Sequence, residues 1–339
     1  MKYSIGPVLW INIAAAGALM IALENRGYTQ AVDPNAAPNP YRMQENWAQL
    51  PADRRFGGVI KAQVDHSDGK SIWVFDRCSS SECTNSTLAP LLKFDSSGKF
   101  VTAFGAGLFA IPHGLYVDRD GNIWAGDEIA RNGKGADLIK FSSDGTVLMT
   151  LGKPGMPGNG PDYLSSASAV VVAPNGDIYI GDGHGIGTND RIVKFSKEGK
   201  FIKAWGKHGN AAGEIDTPHG IALDSAGRVY VADRVNNRIQ IFSADGEFIA
   251  EWKQFGRPSD VAIDKDDMIY VNDTQSNNKT NPGFQNGIRI GSVKDGKVQV
   301  FIPQMDSTIG APEGLTVDDE GSIYASYPRK SAVRKFVKK

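Results

Sequence analysis

The chain has 339 residues, with 37 basic and 38 acidic side chains and a net charge of −1. Its length allows one large domain or two ordinary ones, and near-neutral charge without a basic block argues against nucleic acid as the main partner. With 39 glycines, many Asp- and Gly-bearing turns and no long amphipathic stretch, the composition points to an all-β protein.

Residues 4–23 (SIGPVLWINIAAAGALMIAL) carry no charge and follow Lys2. That is the pattern of a signal peptide, with Thr29-Gln30-Ala31 as the expected cleavage site. A run of about 20 apolar residues can also span a bilayer, so an uncleaved anchor is the alternative. Residues 1–31 are therefore read as a signal peptide or membrane anchor, and the remainder as periplasmic or secreted. Residues 32–44, opening with the Pro/Asn-rich VDPNAAPNPY, read as a linker, and a folded domain is expected over 45–339. The only two cysteines, Cys78 and Cys83, read as a local disulfide in an exported chain, with a two-cysteine metal site as the alternative.

A repeat then runs to the C-terminus. Each copy has a short apolar strand, a turn, an Ile/Val-aromatic strand ending in Asp, a polar loop and two further apolar strands. The copies are VDHSDGKSIWVFD (64–76), HGLYVDRDGNIWAGD (113–127), SAVVVAPNGDIYIGD (168–182), HGIALDSAGRVYVAD (219–233), SDVAIDKDDMIYVND (259–273) and EGLTVDDEGSIYAS (313–326). The strand-opening positions 113, 168, 219, 259 and 313 are 55, 51, 40 and 54 residues apart. Periods near 40–55 with about four strands each predict a six-bladed β-propeller. The last copy ends after its third strand, at AVRKFV (332–337). An N-terminal strand near 44–50 (QENWAQL) is expected to supply the fourth and close the ring.

In a propeller blade the first strand starts, and the second ends, at the same mouth of the ring. The first group comprises Ile60, His113, Ser168, His219, Ser259 and Glu313. The second includes Arg77, Asp127, Glu128, His184, Arg234 and Tyr327. The tetrapeptides IPHG (111–114), TPHG (217–220) and APEG (311–314) open alternate blades. His113, His219 and Glu313 are therefore expected to face the axis from three directions as a metal site, with zinc the default and other divalent transition metals compatible. A histidine kept for packing would have no reason to fall on alternate blades. His184, in the glycine-rich GDGHG (181–185), is read as a proton-transfer group or an exposed loop histidine. Arg77 is read as a carboxylate-binding fork or a solvated arginine. Asp127, Arg234 and Tyr327 are expected to contact substrate. Asp118, Asp224 and Asp318, five residues after the axial positions, are read as turn residues, and Arg191 and Arg238, which recur at one repeat position, as scaffold.

These repeats look like NHL repeats, and the PHG motifs make the ring resemble the peptidyl-α-hydroxyglycine α-amidating lyase family, especially its bacterial exported members, over about residues 45–339. The resemblance implies a six-bladed propeller that cleaves a peptidyl α-hydroxyglycine into a peptide amide and glyoxylate, with zinc in the central cavity. The family's zinc is held by three histidines; His113 and His219 match two, and Glu313 stands in place of the third. Arg77, in VFDR (74–77), matches an arginine that assists in the family. His184 replaces the family's catalytic tyrosine after Asp182-Gly183, and Gly314 stands where an Asp would help hold a structural calcium. Three functions follow as expectations. The first is a metal-dependent lyase or hydrolase on a small or peptidyl carboxylate- or amide-bearing substrate. The second is a non-catalytic propeller that binds a peptide, glycan or protein. The third is a lactonase-like hydrolase, which the two axial histidines disfavour.

Overall fold

A computed structural model describes residues 1, 2, 33–304 and 310–339. The expected signal or anchor segment lies almost wholly in residues 3–32, outside the described residues. Among the described residues no helix is long and apolar enough to cross a membrane.

Six four-stranded antiparallel sheets form the six blades of a propeller. The closing strand β1 is Tyr41–Gln44; blade one holds β2 (Val59–Val64), β3 (Ile72–Asp76), β4 (Leu91–Phe94) and β5 (Phe100–Phe104). Blade two holds β6 (Pro112–Val117), β7 (Ile123–Asp127), β8 (Asp137–Phe141) and β9 (Val147–Gly152). Blade three holds β10 (Ala167–Val172), β11 (Ile178–Asp182), β12 (Arg191–Phe195) and β13 (Phe201–Trp205). Blade four holds β14 (Pro218–Leu223), β15 (Val229–Asp233), β16 (Arg238–Phe242) and β17 (Phe248–Trp252). Blade five holds β18 (Pro258–Ile263), β19 (Met268–Asp273), β20 (Gly287–Ser292) and β21 (Val298–Pro303), and blade six β22 (Gly314–Val317), β23 (Ile323–Tyr327) and β24 (Ala332–Lys338). The first strands pack side by side around the axis, from β2 through β6, β10, β14 and β18 to β22 and back to β2.

The burial pattern explains the repeat. Second strands such as β3 (IWVFD), β7 (IWAGD) and β15 (VYVAD) are buried along their whole length, because both faces pack against neighbouring blades. Outer strands such as β9 and β17 expose their first residues. The turns between first and second strands are tied by aspartates. Asp118, Asp224 and Asp318 each accept two turn amides through Oδ1, while Oδ2 accepts from Trp124, Tyr230 and Tyr324 respectively. They are turn residues, as read from the sequence.

The aspartate that ends each second strand of blades one to five ties down the mouth loops. Asp182, for example, accepts from the Ser165 and Ser166 amides at 2.7 and 3.0 Å. An arginine balances the buried charge in four of these blades: Arg54 with Asp76, Arg191 with Asp182, Arg238 with Asp233 and Arg289 with Asp273. Arg191 and Arg238 also donate to nearby loop carbonyls, so both belong to the scaffold. In blade two the place of Arg191 and Arg238 at the start of the third strand is taken by Asp137, which is buried and has an unpartnered Oδ1.

Ring closure is by the N-terminal strand, but not by the segment expected. β1 pairs antiparallel with β24, from Tyr41 opposite Lys338 to Gln44 opposite Lys335. The strand therefore ends where the expected segment 44–50 begins. Tyr41-Arg-Met-Gln44 alternates buried and exposed positions as a strand requires, whereas Asn46 takes a left-handed φ of 54° and turns the chain away. Trp47, buried at 2 %, then packs edge-on to Tyr324 at 4.8 Å and tilted against Phe94 at 6.0 Å. The segment upstream is not a free linker either: Arg289 donates to the Pro34 carbonyl and to Asn35 Oδ1 at 3.2 and 2.8 Å.

Cys78 and Cys83 form a disulfide, which fits an oxidising compartment.

Candidate metal centre

The six strand-opening residues Ile60, His113, Ser168, His219, Ser259 and Glu313 do line one axial cavity, of about 20 Å³. In blades one to five the pairing register slips at this residue, for example between Pro112 and Leu115 and between Pro218 and Gly220. Such a bulge re-aims a side chain, here towards the axis. The glycine that follows in the PHG and PEG motifs serves the neighbouring blade. A Cβ on Gly220 would lie 2.7 Å from Asp260 Oδ1, and one on Gly314 would lie 2.6 Å from the Ile60 carbonyl. Adjacent first strands can approach this closely only where that side chain is missing.

His113 and His219 are each 4 % exposed, and their Nδ1 atoms lie 2.7 Å from the Ser168 carbonyl and 2.5 Å from the Ser259 carbonyl. A carbonyl only accepts, so each Nδ1 carries the proton, and in the neutral ring Nε2 keeps its lone pair. Burial pushes both imidazoles well below their usual pKa, helped at His113 by His184 and at His219 by Arg234. Both rings are therefore neutral. Both Nε2 atoms are buried without a hydrogen-bond partner; His219 Nε2 lies 3.1 Å from Glu313 Oε1, not in hydrogen-bond alignment.

His184 joins them. It sits on the loop after β11, where Gly183 passes so close to Asp190 that a Cβ would lie 2.7 Å from its carboxylate. The His184 amide donates to Thr188 Oγ1 at 3.0 Å. Its Nδ1 meets Glu128 Oε1 at 2.7 Å, which again leaves Nε2 with the lone pair. The ring centroids of His113, His184 and His219 are 4.5, 4.6 and 4.9 Å apart. Donor atoms of His113, His184, His219 and Glu313 all lie within 4.8 Å of one another. Three imidazoles and a carboxylate converge, and the imidazoles come from blades two, three and four.

Glu128 is the residue that sequence reasoning passed over in favour of its neighbour. It accepts from His184 with one oxygen and from Arg77 Nη2, at 2.8 Å, with the other. Burial alone would raise its pKa, but the His184 hydrogen bond and the Arg77 guanidinium outweigh burial and lower it to about 2. Arg77 is further held by the Pro112 carbonyl at 3.2 Å. Arg234 lies across the mouth, with Nη1 3.3 Å from Glu313 Oε1 and Nη2 3.4 Å from His184 Nε2.

Two expected substrate contacts are placed elsewhere. Asp127 is fully buried, with its carboxylate spent on the Ala110 and Ile111 amides at 2.5 and 2.6 Å. It is the last residue of its strand and points back at the loop, whereas Glu128, one residue on, faces the axis. Tyr327 is also buried and packs under the Arg334 guanidinium, in a separate cavity with Met43, Ile288 and Phe336. A second group of donors, Asp190, His208 and Asp216, lies at the rim, with His208 exposed and its Nδ1 2.8 Å from Asp190. No sequence motif marked it.

The NHL repeat family model matches residues 216–242. The chain is 28% identical over 242 residues to the human NHL repeat-containing protein 3, covering 67% of this chain and 66% of that protein. It is 31% identical over 258 residues to the Xenopus laevis peptidyl-glycine α-amidating monooxygenase A, covering 71% of this chain but 26% of that protein. It is 34% identical over 116 residues to the Drosophila melanogaster peptidyl-α-hydroxyglycine α-amidating lyase 1, covering 33% of this chain and 20% of that protein. The match thus spans about two thirds of the first of these relatives and much less of the others.

Proposed function

We propose that this NHL-repeat propeller, related to the amidating-lyase proteins, is a metal-dependent lyase that cleaves a peptidyl α-hydroxyglycine, or a close relative of it, into an amide and glyoxylate. The observation that carries the reading is the convergence of three Nε2 lone pairs, each fixed by an acceptor on the opposite ring nitrogen. The neutral imidazoles of His113 and His219, with buried, unpartnered Nε2 atoms, together with the nearby His184 Nε2 and the Glu313 carboxylate, suit a zinc-type divalent ion. His113, His184 and His219 would hold the ion, with Glu313 beside it. Bound there, the metal supplies Lewis-acid polarisation of a substrate oxygen.

The chain's own groups account for the rest. Arg77 uses Nε and Nη2 on Pro112 and Glu128, which leaves Nη1 to bind the substrate carboxylate. Arg234 holds Glu313 in place across the mouth. Glu313, with its side chain 20% exposed, is the most accessible acceptor in the group. It takes the proton of the α-hydroxyl as that carbon becomes the aldehyde of glyoxylate, and returns it to the amide nitrogen as the C–N bond breaks. This revises the role expected of His184: its Nδ1 is committed to Glu128 and its Nε2 faces the cluster, so it orients and binds rather than moving the proton.

The test is glyoxylate release from an N-acyl α-hydroxyglycine by zinc-loaded protein, with Glu313→Gln alongside. The wild type is expected to release glyoxylate. In the variant, turnover should slow by about two orders of magnitude or more with little change in KM, as expected for a lost acid/base group. Equal rates in the two would remove Glu313 from the proton transfer.

A further inference from the structure

Blade two buries two carboxylates where its neighbours bury a carboxylate and a guanidinium. In blade three Asp182 lies opposite Arg191 in the strand register, and Arg191 Nε donates to its Oδ2 at 2.8 Å. In blade four Asp233 lies opposite Arg238, which donates to its Oδ2 at 2.7 Å. In blade two Gly126 lies opposite Leu138, so the next pair outward is Asp127 opposite Asp137. Residues directly opposite on antiparallel strands share a face. Asp137 is therefore aimed at the place that a guanidinium fills in blades three and four.

Asp127 and Asp137 are 0% and 1% exposed, and Asp137 Oδ1 is buried without a hydrogen-bond partner. Among the described residues no basic side chain pairs with either carboxylate, and no hydrogen bond joins the two. The nearby Arg131 and Lys134 turn instead to Glu82 and to the Thr84 carbonyl. Two opposed buried carboxylates without a counter-charge are strongly disfavoured. The missing guanidinium also leaves oxygens behind. Arg191 takes up the carbonyls of Asn159 and Tyr163, and Arg238 those of Asn210, Ala211 and Glu214, each time from the loop that precedes the blade's first strand. In blade two that loop is 105–111, and it meets Asp127 through the Ala110 and Ile111 amides. Each Asp127 oxygen accepts one of these amides and keeps a lone pair.

We infer that blade two binds a calcium-type cation between Asp127 and Asp137, in the place of the arginine of blades three and four, with carbonyls of loop 105–111 and water completing its shell. Carboxylates and main-chain carbonyls in an irregular arrangement are the ligands that a hard cation of this size takes, and two negative charges match its two positive ones. The site is separate from the imidazole-rich axial centre and does not depend on the reaction proposed there. It supports that centre from behind: Asp127 holds Ile111, two residues before His113, and precedes Glu128. Without the ion, only protons relieve the pair.

The test uses the zinc-loaded full chain above neutral pH, so that the axial imidazoles are offered the metal they favour. Bound calcium is measured by elemental analysis after dialysis against calcium and desalting. The denaturant midpoint is followed without divalent ions, with calcium and with magnesium. One calcium per chain is expected, with a midpoint that climbs by a constant step for each tenfold rise in free calcium. Magnesium, which demands a stricter octahedron, should give little. Asp137→Asn and Asp137→Arg, the second supplying the cation covalently, should each lower calcium affinity by about 100-fold or more, since ligand charge sets that affinity. Their midpoints should ignore calcium, and any advantage over the wild type in ion-free buffer should shrink as calcium is added. No calcium in the wild type, calcium kept by both variants, or a wild-type midpoint that ignores calcium overturns the inference and leaves a pair neutralised by protons alone. Zinc is counted on the same samples, so calcium without zinc and zinc without calcium tell the two sites apart.

Discussion

Glu128 on blade two and His184 on blade three meet at 2.7 Å, carboxylate oxygen to Nδ1, and this one contact turns a loop histidine towards the axis. The same carboxylate holds Arg77 from blade one. A single glutamate thus couples the orientation of one prospective ligand to the position of one prospective substrate contact.

If that coupling orients His184, Glu128→Ala should weaken zinc binding by about 10- to 100-fold, the usual cost of losing the partner behind a metal-binding imidazole. Glu128→Gln, which can still accept through its amide oxygen, should retain most of the affinity. Competition against a chromophoric chelator measures both. Unchanged affinity in the alanine variant would leave Glu128 with no orienting role.

Blade two carries a stability cost that rises with pH. Burial raises the Asp127 pKa from an ordinary 3.8 to about 6, and burial together with Asp127 raises Asp137 to about 7. The folded state therefore holds more protons than the unfolded state between about pH 4 and 7, and stability falls as pH rises through that window. Asp137→Asn should match the wild type near pH 4 and exceed it by on the order of 1–3 kcal/mol above pH 7. Denaturant melts at several pH values give the comparison. Curves that stay parallel across the range would show that Asp137 does not hold a proton there.

Removing residues up to Gln44 strips β1 from β24 and exposes a sheet edge. The melting temperature should drop by on the order of 10 °C. Trp47→Ala should destabilise separately, by about 3–5 kcal/mol, through the cavity left against Tyr324 and Phe94. Calorimetry on each variant checks this; a truncated chain that melts with the wild type would mean that the ring does not depend on its closing strand.

The Cys78–Cys83 disulfide closes a short loop, so its loss should cost only about 2 kcal/mol. Because it lies next to Arg77, the double Cys78→Ser, Cys83→Ser variant should also raise KM for a carboxylate substrate more than it slows turnover. Equal effects on both would separate the disulfide from the site.

Blade number, strand order and the axial positions of His113, His219 and Glu313 were legible in the sequence, because each rests on a local signal: a period, an alternation or a PHG-type motif. What was not legible depends on conformation between repeats. Asp127 and Glu128 are adjacent, and only the strand's end decides which one faces the axis. His184 lies on a glycine-rich loop, whose path follows from the close approach of Gly183 to Asp190 and not from any periodicity. Tyr41–Gln44 has a strand's alternation, but the Pro/Asn-rich residues before it hid that signal, and Trp47 drew attention to a segment that packs instead of pairing. The unbalanced Asp127–Asp137 pair emerges only when Asp137 is set against the arginines of the other blades.

The most direct measurement is zinc stoichiometry and affinity of the untagged protein beside His113→Ala, His184→Ala and His219→Ala. Three converging imidazoles predict one zinc per chain in the wild type and a large loss of affinity in each variant, His184→Ala included. Wild-type affinity in His184→Ala would show that the third imidazole is not a ligand, and no zinc in any of the four proteins would contradict the metal-centre account altogether.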